Sequence, residues 1–416
     1  MTHMLGVESE VGQLRQAIVH RPGLELTRLT PGNCDELLFD DVLWADRARE
    51  EHDIFTGVLR DQGVVVHHFA DLLAQTLALA EAKAFVLDRV CTVERVGPTL
   101  AASLRALAED VDPHTLAELL IGGITKADLS PLQVASVYLQ SLTLDDFILT
   151  PVPNTLFQRD NSAWIYTGVS VNPMAKPARQ RESIHSRAVY RYHPMFADAS
   201  FPVFYGDDDA NHQPATLEGG DIHVLGRGAV LIGMGERTTP MGVEIVAREL
   251  FRHGAATEVI AVQLPKSRAF MHLDTVLTMI DTATFVRYPD LDTAGLRTWR
   301  ITPADPEETE AHDTGGLHVE ARADLFATIA AALGVDTVTV LAADEDTRAA
   351  QREQWDDANN FLAVAPGVVI GYERNTVTNR MLEDHGIKVL SIPGSELGRA
   401  RGGSRCMTCP IQRDGI

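Results

Sequence analysis

Cysteine, aromatic residues, long apolar runs and positive charge are all scarce in this 416-residue chain, and each shortage narrows its class. Only four cysteines occur, Cys34, Cys91, Cys406 and Cys409, too few and too scattered for a disulfide framework, so a reducing compartment fits. Aromatic residues make up 6% of the chain. No window approaches the ~18 uninterrupted apolar residues of a membrane span. The stretch from Met1 to Gly23 lacks a basic region followed by a continuous apolar run, so a cytoplasmic protein without membrane partners is expected. Lys and Arg number 36 against 58 Asp and Glu, a net charge of −22, and such a surface repels phosphate backbones. Nucleic acid is therefore excluded as a partner, while a small cationic molecule would be drawn in. The same acidity also suits a protein kept soluble by its charge.

What remains is 45% hydrophobic, enough for one large core or two ordinary ones. The first segment reads as strand, helix, strand: LRQAIVHRPG, an amphipathic run from Asp46 to Gln62, and the β-branched GVVVHHF. From Asp71 to about Leu142 the composition turns to Ala and Leu with helical spacing. Breaks fall at Gly97-Pro98, Asp112-Pro113, Gly122-Gly123 and Ser130-Pro131, which predicts four or five helices inserted after the first β unit. Strands return beyond Phe147. There, GAVLIGMGERTTPMGVEIVARELFRHGAATEVIAV from Gly228 is echoed by GVVIGYERNTVTNRMLEDHGIKVLSI from Gly367. Each is a strand, a glycine, a polar turn, a helix, a helix-ending glycine and a strand. Repeats of about 50 residues predict a propeller-like array with loops gathered at one end.

Four segments carry chemistry. GRARGGSRCMTCP sets Cys406 behind glycines and arginines, where backbone can approach a substrate closely and cations favour the thiolate. Cys406 and Cys409 also form a C-x-x-C, but neither a thioredoxin-like context nor a second ligand pair accompanies it, so no metal is expected. MHLDT lies between apolar runs and predicts His272 and Asp274 on the same side of an extended strand. LEGGDIH adds Glu218 and Asp221, one of which can orient the histidine. PVPNTLFQRDN packs Asn154, Phe157, Arg159 and Asp160 into one loop. A thiol and a histidine ringed by carboxylates oppose negative charge, so the reacting carbon should be cationic.

These segments resemble arginine deiminases, guanidino-modifying enzymes of the pentein superfamily. The resemblance runs through NCDELLFDDVLW, PNTLFQRDNSAWIY, NPMAKPAR, LEGGDIH, VLIGMGERTT, LPKSRAFMHLDTV, REQWDDANN and ELGRARGGSRCMTCPI. It implies an α/β fold, a five-bladed ββαβ propeller (pentein) with an inserted α-helical bundle domain. On that basis residues 1–70 and 143–416 form the catalytic domain and 71–142 the insertion. It further implies hydrolysis of L-arginine to L-citrulline and ammonia through a covalent amidino-cysteine, with no cofactor, in a cytoplasmic homo-oligomer. Cys406 would be the nucleophile, His272 the acid and base, Glu218 its orienting partner, and Asp160 with Asp274 the guanidinium clamp. Asn154, Arg179 and Arg237 would hold the substrate carboxylate, Phe157 would pack on its stem, and Arg401 would gate the site or support the thiolate. Asp221 is expected to lend support from behind. Dimethylarginine hydrolase, agmatine deiminase, amidinotransferase and a non-catalytic binding protein of the same fold are the alternatives. Arg179 and Arg237 argue against agmatine, which has no carboxylate.

Overall fold

The computed structural model describes residues 5–129, 135–305 and 314–416. The predicted break at Ser130-Pro131 lies outside them.

Five units repeat one plan: an antiparallel hairpin, a helix, and a strand that returns parallel to the second hairpin strand. Ser162–Ile165 and Gly168–Val171 pair, helix Gln180–Tyr192 crosses over, and Val203–Tyr205 returns. Next come Ile222–Gly226, Ala229–Met234, helix Pro240–Arg252 and Glu258–Gln263, a sheet extended by Thr298–Pro303 and Leu317–Arg322. Leu277–Asp281, Thr284–Arg287, helix Leu325–Leu333 and Thr339–Leu341 form the fourth unit in chain order. Leu362–Ala365, Val368–Tyr372, helix Thr376–Asp384 and Lys388–Ile392 form the fifth. The first unit is completed by the far end of the chain. Cys409–Arg413 pairs antiparallel with Leu14–Val19, helix Ala45–Asp61 follows, and Val65–His68 returns.

Local chemistry explains the repeat. The two echoed segments begin at glycines that close hairpins: Gly228 (φ 81°) follows Arg227 (φ 54°), a pair of left-handed residues that matches strand twist, and Gly367 (φ 71°) follows Pro366. Helix Pro240–Arg252 starts with proline in its first turn, and Thr239 caps it by accepting from the Gly242 N–H.

Between residues 69 and 122 the chain forms five helices, Phe69–Leu77, Ala80–Val90, Val93–Val96, Pro98–Asp110 and Pro113–Gly122. The predicted breaks at Gly97-Pro98 and Asp112-Pro113 are helix starts, the second capped by Asp112 Oδ1 accepting from the N–H groups of His114 and Thr115. Apolar residues of these helices, such as Leu73, Val86, Leu104 and Leu120, share one continuous cluster with Trp164, Ile165 and Tyr190. Burying each stabilises by about 1.5–3 kcal/mol.

Helix Ala45–Asp61 also braces the approach to Cys406. Glu51, fully buried, accepts from the N–H groups of Ser395, Glu396 and Leu397 and from the Ser395 hydroxyl. Glu51→Ala strands three amide donors in a dry place. It should cost about 3 kcal/mol of unfolding free energy, read as a lower urea midpoint at an unchanged slope. A midpoint equal to that of the parent would contradict this role.

Candidate active site

The residues that build the site come from equivalent positions. Asp160, Glu218, Asp274, Asn360 and Cys406 each stand just before the first strand of their unit, which begins at Ser162, Ile222, Leu277, Leu362 and Cys409. A repeated backbone thus delivers five side chains of four kinds to one end of the sheets.

Cys406 is held by backbone and by Asn360. Its N–H donates to Asn360 Oδ1 at 3.0 Å, and Asn360 Nδ2 donates to the Asp274 carbonyl at 3.0 Å and to the thiol sulfur at 3.1 Å. The glycines before it are required by close approach: a Cβ on Gly402 would stand 2.2 Å from the Phe157 ring, and one on Gly403 2.8 Å from the Asn360 carbonyl oxygen. Ser404 ties the loop to the fifth unit, accepting from the Leu362 N–H and donating to the Ile370 carbonyl. Cys406 Sγ lies 3.7 and 3.9 Å from the two oxygens of Asp274.

His272 bridges two other acids. Its Nε2 is 2.8 Å from Glu218 Oε2, and its Nδ1 is 3.6 Å from Asp160 Oδ1. The extended strand predicted for MHLDT is not what forms. His272 precedes a 3₁₀ turn, Leu273–Thr275, because the Thr275 N–H and hydroxyl both donate to the His272 carbonyl, while Asp221 Oδ1 accepts the Leu273 N–H. Asp221 therefore shapes the turn that carries the histidine, and burial pushes its carboxyl up to about 7. Gly220 lies against both partners: a Cβ there would be 2.7 Å from His272 Nδ1 and 2.9 Å from Asp160 Oδ1, and its N–H donates to that same oxygen.

Asn154, Phe157, Asp160, Arg179, Arg237, His272, Arg401 and Cys406 line one cavity, with Leu38, Arg268, Met271, Thr275 and Ala400. Only about 20 Å³ is left there for the centre of a water molecule to move in. Glu218 and Asp274, fully buried, stand behind this lining. Asn154 spends its amide N–H on the Leu37 carbonyl. Arg237 Nη1 reaches Glu218 Oε2 at 3.4 Å and Nη2 the Met271 sulfur, while its Nε has no hydrogen-bond partner among the described residues. Arg401, left-handed at φ 63°, stacks 3.7 Å over the exposed Trp355 ring, and its Nε and Nη1 are likewise unbonded among the described residues.

Arg179 is engaged throughout. Its Nε and Nη2 hold Glu182 at 3.0 and 2.9 Å, its Nη1 holds Asp160 Oδ2 at 2.7 Å, and Nη2 also reaches the Asn154 carbonyl. In this conformation its donors fix Asp160. Glu182, Asn360 and Asp357, whose carboxylate acts on the Cys406 thiol, are not singled out by the sequence. Arg179 and Glu182, three apart at a helix start, carry a signal that could have found the first. Asn360 and Asp357 lie in the quoted REQWDDANN without any feature that distinguishes them there.

The charges work in opposite directions at sulfur and imidazole. Burial raises the Cys406 thiol well above its ordinary value, and Asp274, Asp160 and Asp357 add to that, with Arg405 opposing. Burial pulls His272 down, but Asp160 and the Glu218 hydrogen bond outweigh it and push the imidazole up to about 9. These effects favour the protonated thiol and the protonated imidazole, both of which line the one ligand-free cavity. Asp160, Glu218 and His272 could offer ligand atoms within 4.8 Å of one another to a metal. Asp160 and Glu218 already face guanidinium groups of Arg179 and Arg237, which supply the counter-charge a cation would bring.

Comparison with known proteins bears on the fold and the family. The structure is similar to an amidinotransferase of saxitoxin biosynthesis from Microseira wollei, at 15% identity over 99% of this chain and 98% of that one, with a TM-score of 0.56. It is also similar to a dimethylarginine dimethylaminohydrolase from Pseudomonas aeruginosa solved with citrulline, at 14% identity over 95% and 99%, with a TM-score of 0.51. At such identities the likeness is one of fold, the α/β pentein fold with its several small sheets. The sequence model of the arginine deiminase family matches residues 35–413. Fold, site and family together define a guanidino-modifying enzyme. The chain belongs to the arginine deiminase family. Among the described residues no helix is long and apolar enough to cross a membrane.

Proposed function

We propose that the protein is an arginine deiminase, hydrolysing L-arginine to L-citrulline and ammonium through an amidino-cysteine on Cys406. The observation that carries this reading is the placement of a thiol and an imidazolium around one small cavity with Asp160, backed by Asp274. A guanidinium is planar, permanently charged and a poor electrophile, so it must be gripped by acids and met by a strong nucleophile. Asp160 and Asp274 each have one oxygen bonded to a protein arginine, at 2.7 and 2.6 Å, while the other oxygen of Asp160 accepts the Gly220 N–H beside His272 and that of Asp274 lies 3.9 Å from the Cys406 sulfur.

The substrate cation between these acids offsets the charges that hold the thiol protonated, so binding lowers the thiol's hold on its proton, which passes to solvent and leaves the thiolate. Sulfur then attacks the guanidinium carbon. His272 protonates the departing nitrogen, ammonia leaves, and Cys406 is left carrying the amidino group. Water attacks that carbon, His272 takes its proton, the carbon–sulfur bond breaks, and citrulline departs. Phe157 packs on the aliphatic stem. Asn154 and Arg237 serve the carboxylate end, Arg179 acts by fixing Asp160, and Arg401 gates the cavity or supports the thiolate.

The same reading takes the five units as blades closed into a propeller around the site, with 71–142 as an inserted helical domain, in a cytoplasmic homo-oligomer. Five site residues at equivalent places in five units support the propeller.

Incubation with L-arginine should yield citrulline and ammonium in equal amounts, with agmatine and methylated arginines turned over far more slowly. Preference for either of those instead would replace the reading with agmatine deiminase or dimethylarginine hydrolase. The thiolate absorbance near 240 nm should titrate at lower pH with a bound arginine analogue than without, and coincident titrations would remove substrate-induced activation.

A further inference from the structure

The residue before the nucleophile is tied at three corners. Arg405 donates through Nη1 to Asp274 Oδ2 at 2.6 Å, through Nε to Glu10 Oε1 at 2.8 Å, and through Nη2 to the Ile222 carbonyl at 2.7 Å. Its side chain is 1% exposed, and those of Asp274 and Glu10 are 0% and 6%. Glu10 sits between the short strand Gly6–Val7 and Leu14–Val19, outside the span matched by the family model. Its backbone carbonyl accepts from Arg413, so the chain's beginning and end meet at this point.

We propose that Arg405 is a positioning residue, braced by Glu10 and the Ile222 carbonyl, that keeps the Asp274 carboxylate charged and aimed beside Cys406. The inference rests on the guanidinium-binding role given to Asp274 above. Three bonds in different directions leave the planar Arg405 fork one orientation, and Asp274 is the site acid that fork meets. Asp274 needs such help because burial drives its carboxyl upward and Asp160 adds to that, while Arg405 and His272 oppose. Cys406 and Asp357 also face it. Around Glu10 lie Arg405, Arg159, Arg413 and His223, a largely cationic shell that keeps it ionised despite burial. The two acids therefore divide the work: Asp274 takes the charge of Arg405, and Glu10 fixes where that charge stands.

Three variants separate these parts. Arg405→Gln removes the cation beside Asp274, so the acid limb of kcat/KM should move up by about one pH unit or more. Glu10→Ala keeps the Arg405–Asp274 pair but loses the brace, so KM should rise by about tenfold with no upward move of the acid limb. Arg405→Lys keeps the charge without the three-way fit, so KM should rise while the acid limb stays where it was. An unmoved limb in folded Arg405→Gln overturns the proposal, as does a parental KM in folded Glu10→Ala. Should Arg405→Gln not melt cooperatively, Arg405→Lys decides, and a parental KM there overturns it too. The shift is also readable without substrate, as the titration of the ¹³C-carboxyl resonance that disappears in Asp274→Asn. Failure of the protein to turn over arginine would defeat the proposed function and leave that titration as the test of Arg405.

Discussion

Cys406→Ala should lower arginine turnover by more than about 10⁴-fold while the protein melts close to the parent temperature, because the reaction loses its covalent route and the fold loses little. The backbone bonds that hold this residue, from its N–H to Asn360 and from Arg159 N–H to its carbonyl, do not involve sulfur. What goes is one contact from Asn360 Nδ2, the two weak sulfur contacts to Asp274 and a small buried volume, a cost of about 1 kcal/mol. Cys406→Ser should be nearly as inactive, since a hydroxyl beside three acids has no means of ionising near neutral pH. Cys409→Ser supplies the contrast. Its sulfur packs 3.7 Å from the Ser162 hydroxyl and 3.8 Å from that of Tyr190, away from the cavity, and most activity should survive. Ammonium release together with thermal unfolding checks all three, and substantial turnover by a folded Cys406→Ala protein would remove the thiol from the chemistry.

Loss of the imidazole is the second large effect. His272→Ala should cost about 10²–10⁴-fold in kcat, since the leaving nitrogen then departs unprotonated and the hydrolytic water lacks a base. The pH profile carries a sharper test. With His272 pushed up to about 9 by Asp160 and Glu218 against burial, its proton is present below that pH, and activity should fall on a basic limb near it. Glu218→Gln removes the hydrogen-bonded carboxylate and should move that limb to lower pH. Stability follows the same sign. The folded value exceeds the ordinary one of roughly 6.5, so stabilisation by the imidazolium is complete below about pH 6.5 and is lost as pH rises through about 9. A basic limb in Glu218→Gln that coincides with the parent's would separate Glu218 from the histidine.

The strand-helix-strand start and the two echoed segments could be read from spacing alone. Hairpin glycines and helix caps act locally, so their effect does not depend on distant contacts. Leu14–Val19 and Val65–His68 lie where the apolar runs put them, and the helix between them spans Ala45–Asp61. The turn at His272 was misread as extended because a side-chain hydroxyl at Thr275 and a distant carboxylate at Asp221 decide it, and neither changes apolar periodicity. The other repeats were missed for a related reason. Thr282-Ala283 and Tyr166-Thr167 close hairpins without the Arg-Gly or Pro-Gly signature that marks the echoed pair.

By itself the amino-acid order determined the kind of chemistry available: a thiol behind glycines, a histidine, several acids and no disulfide scaffold. It also determined the alternation of strand and helix, since apolar spacing and turn chemistry operate over a few residues. Only the folded chain decided which charges face one another. That Arg179 serves Asp160 and Glu182, that Asn360 holds Cys406, and that Glu10 meets Arg405 across 395 positions of sequence follow from how the sheets are packed. Ion pairing in a dry interior depends on distance and orientation in space, and those are set by packing rather than by order along the chain.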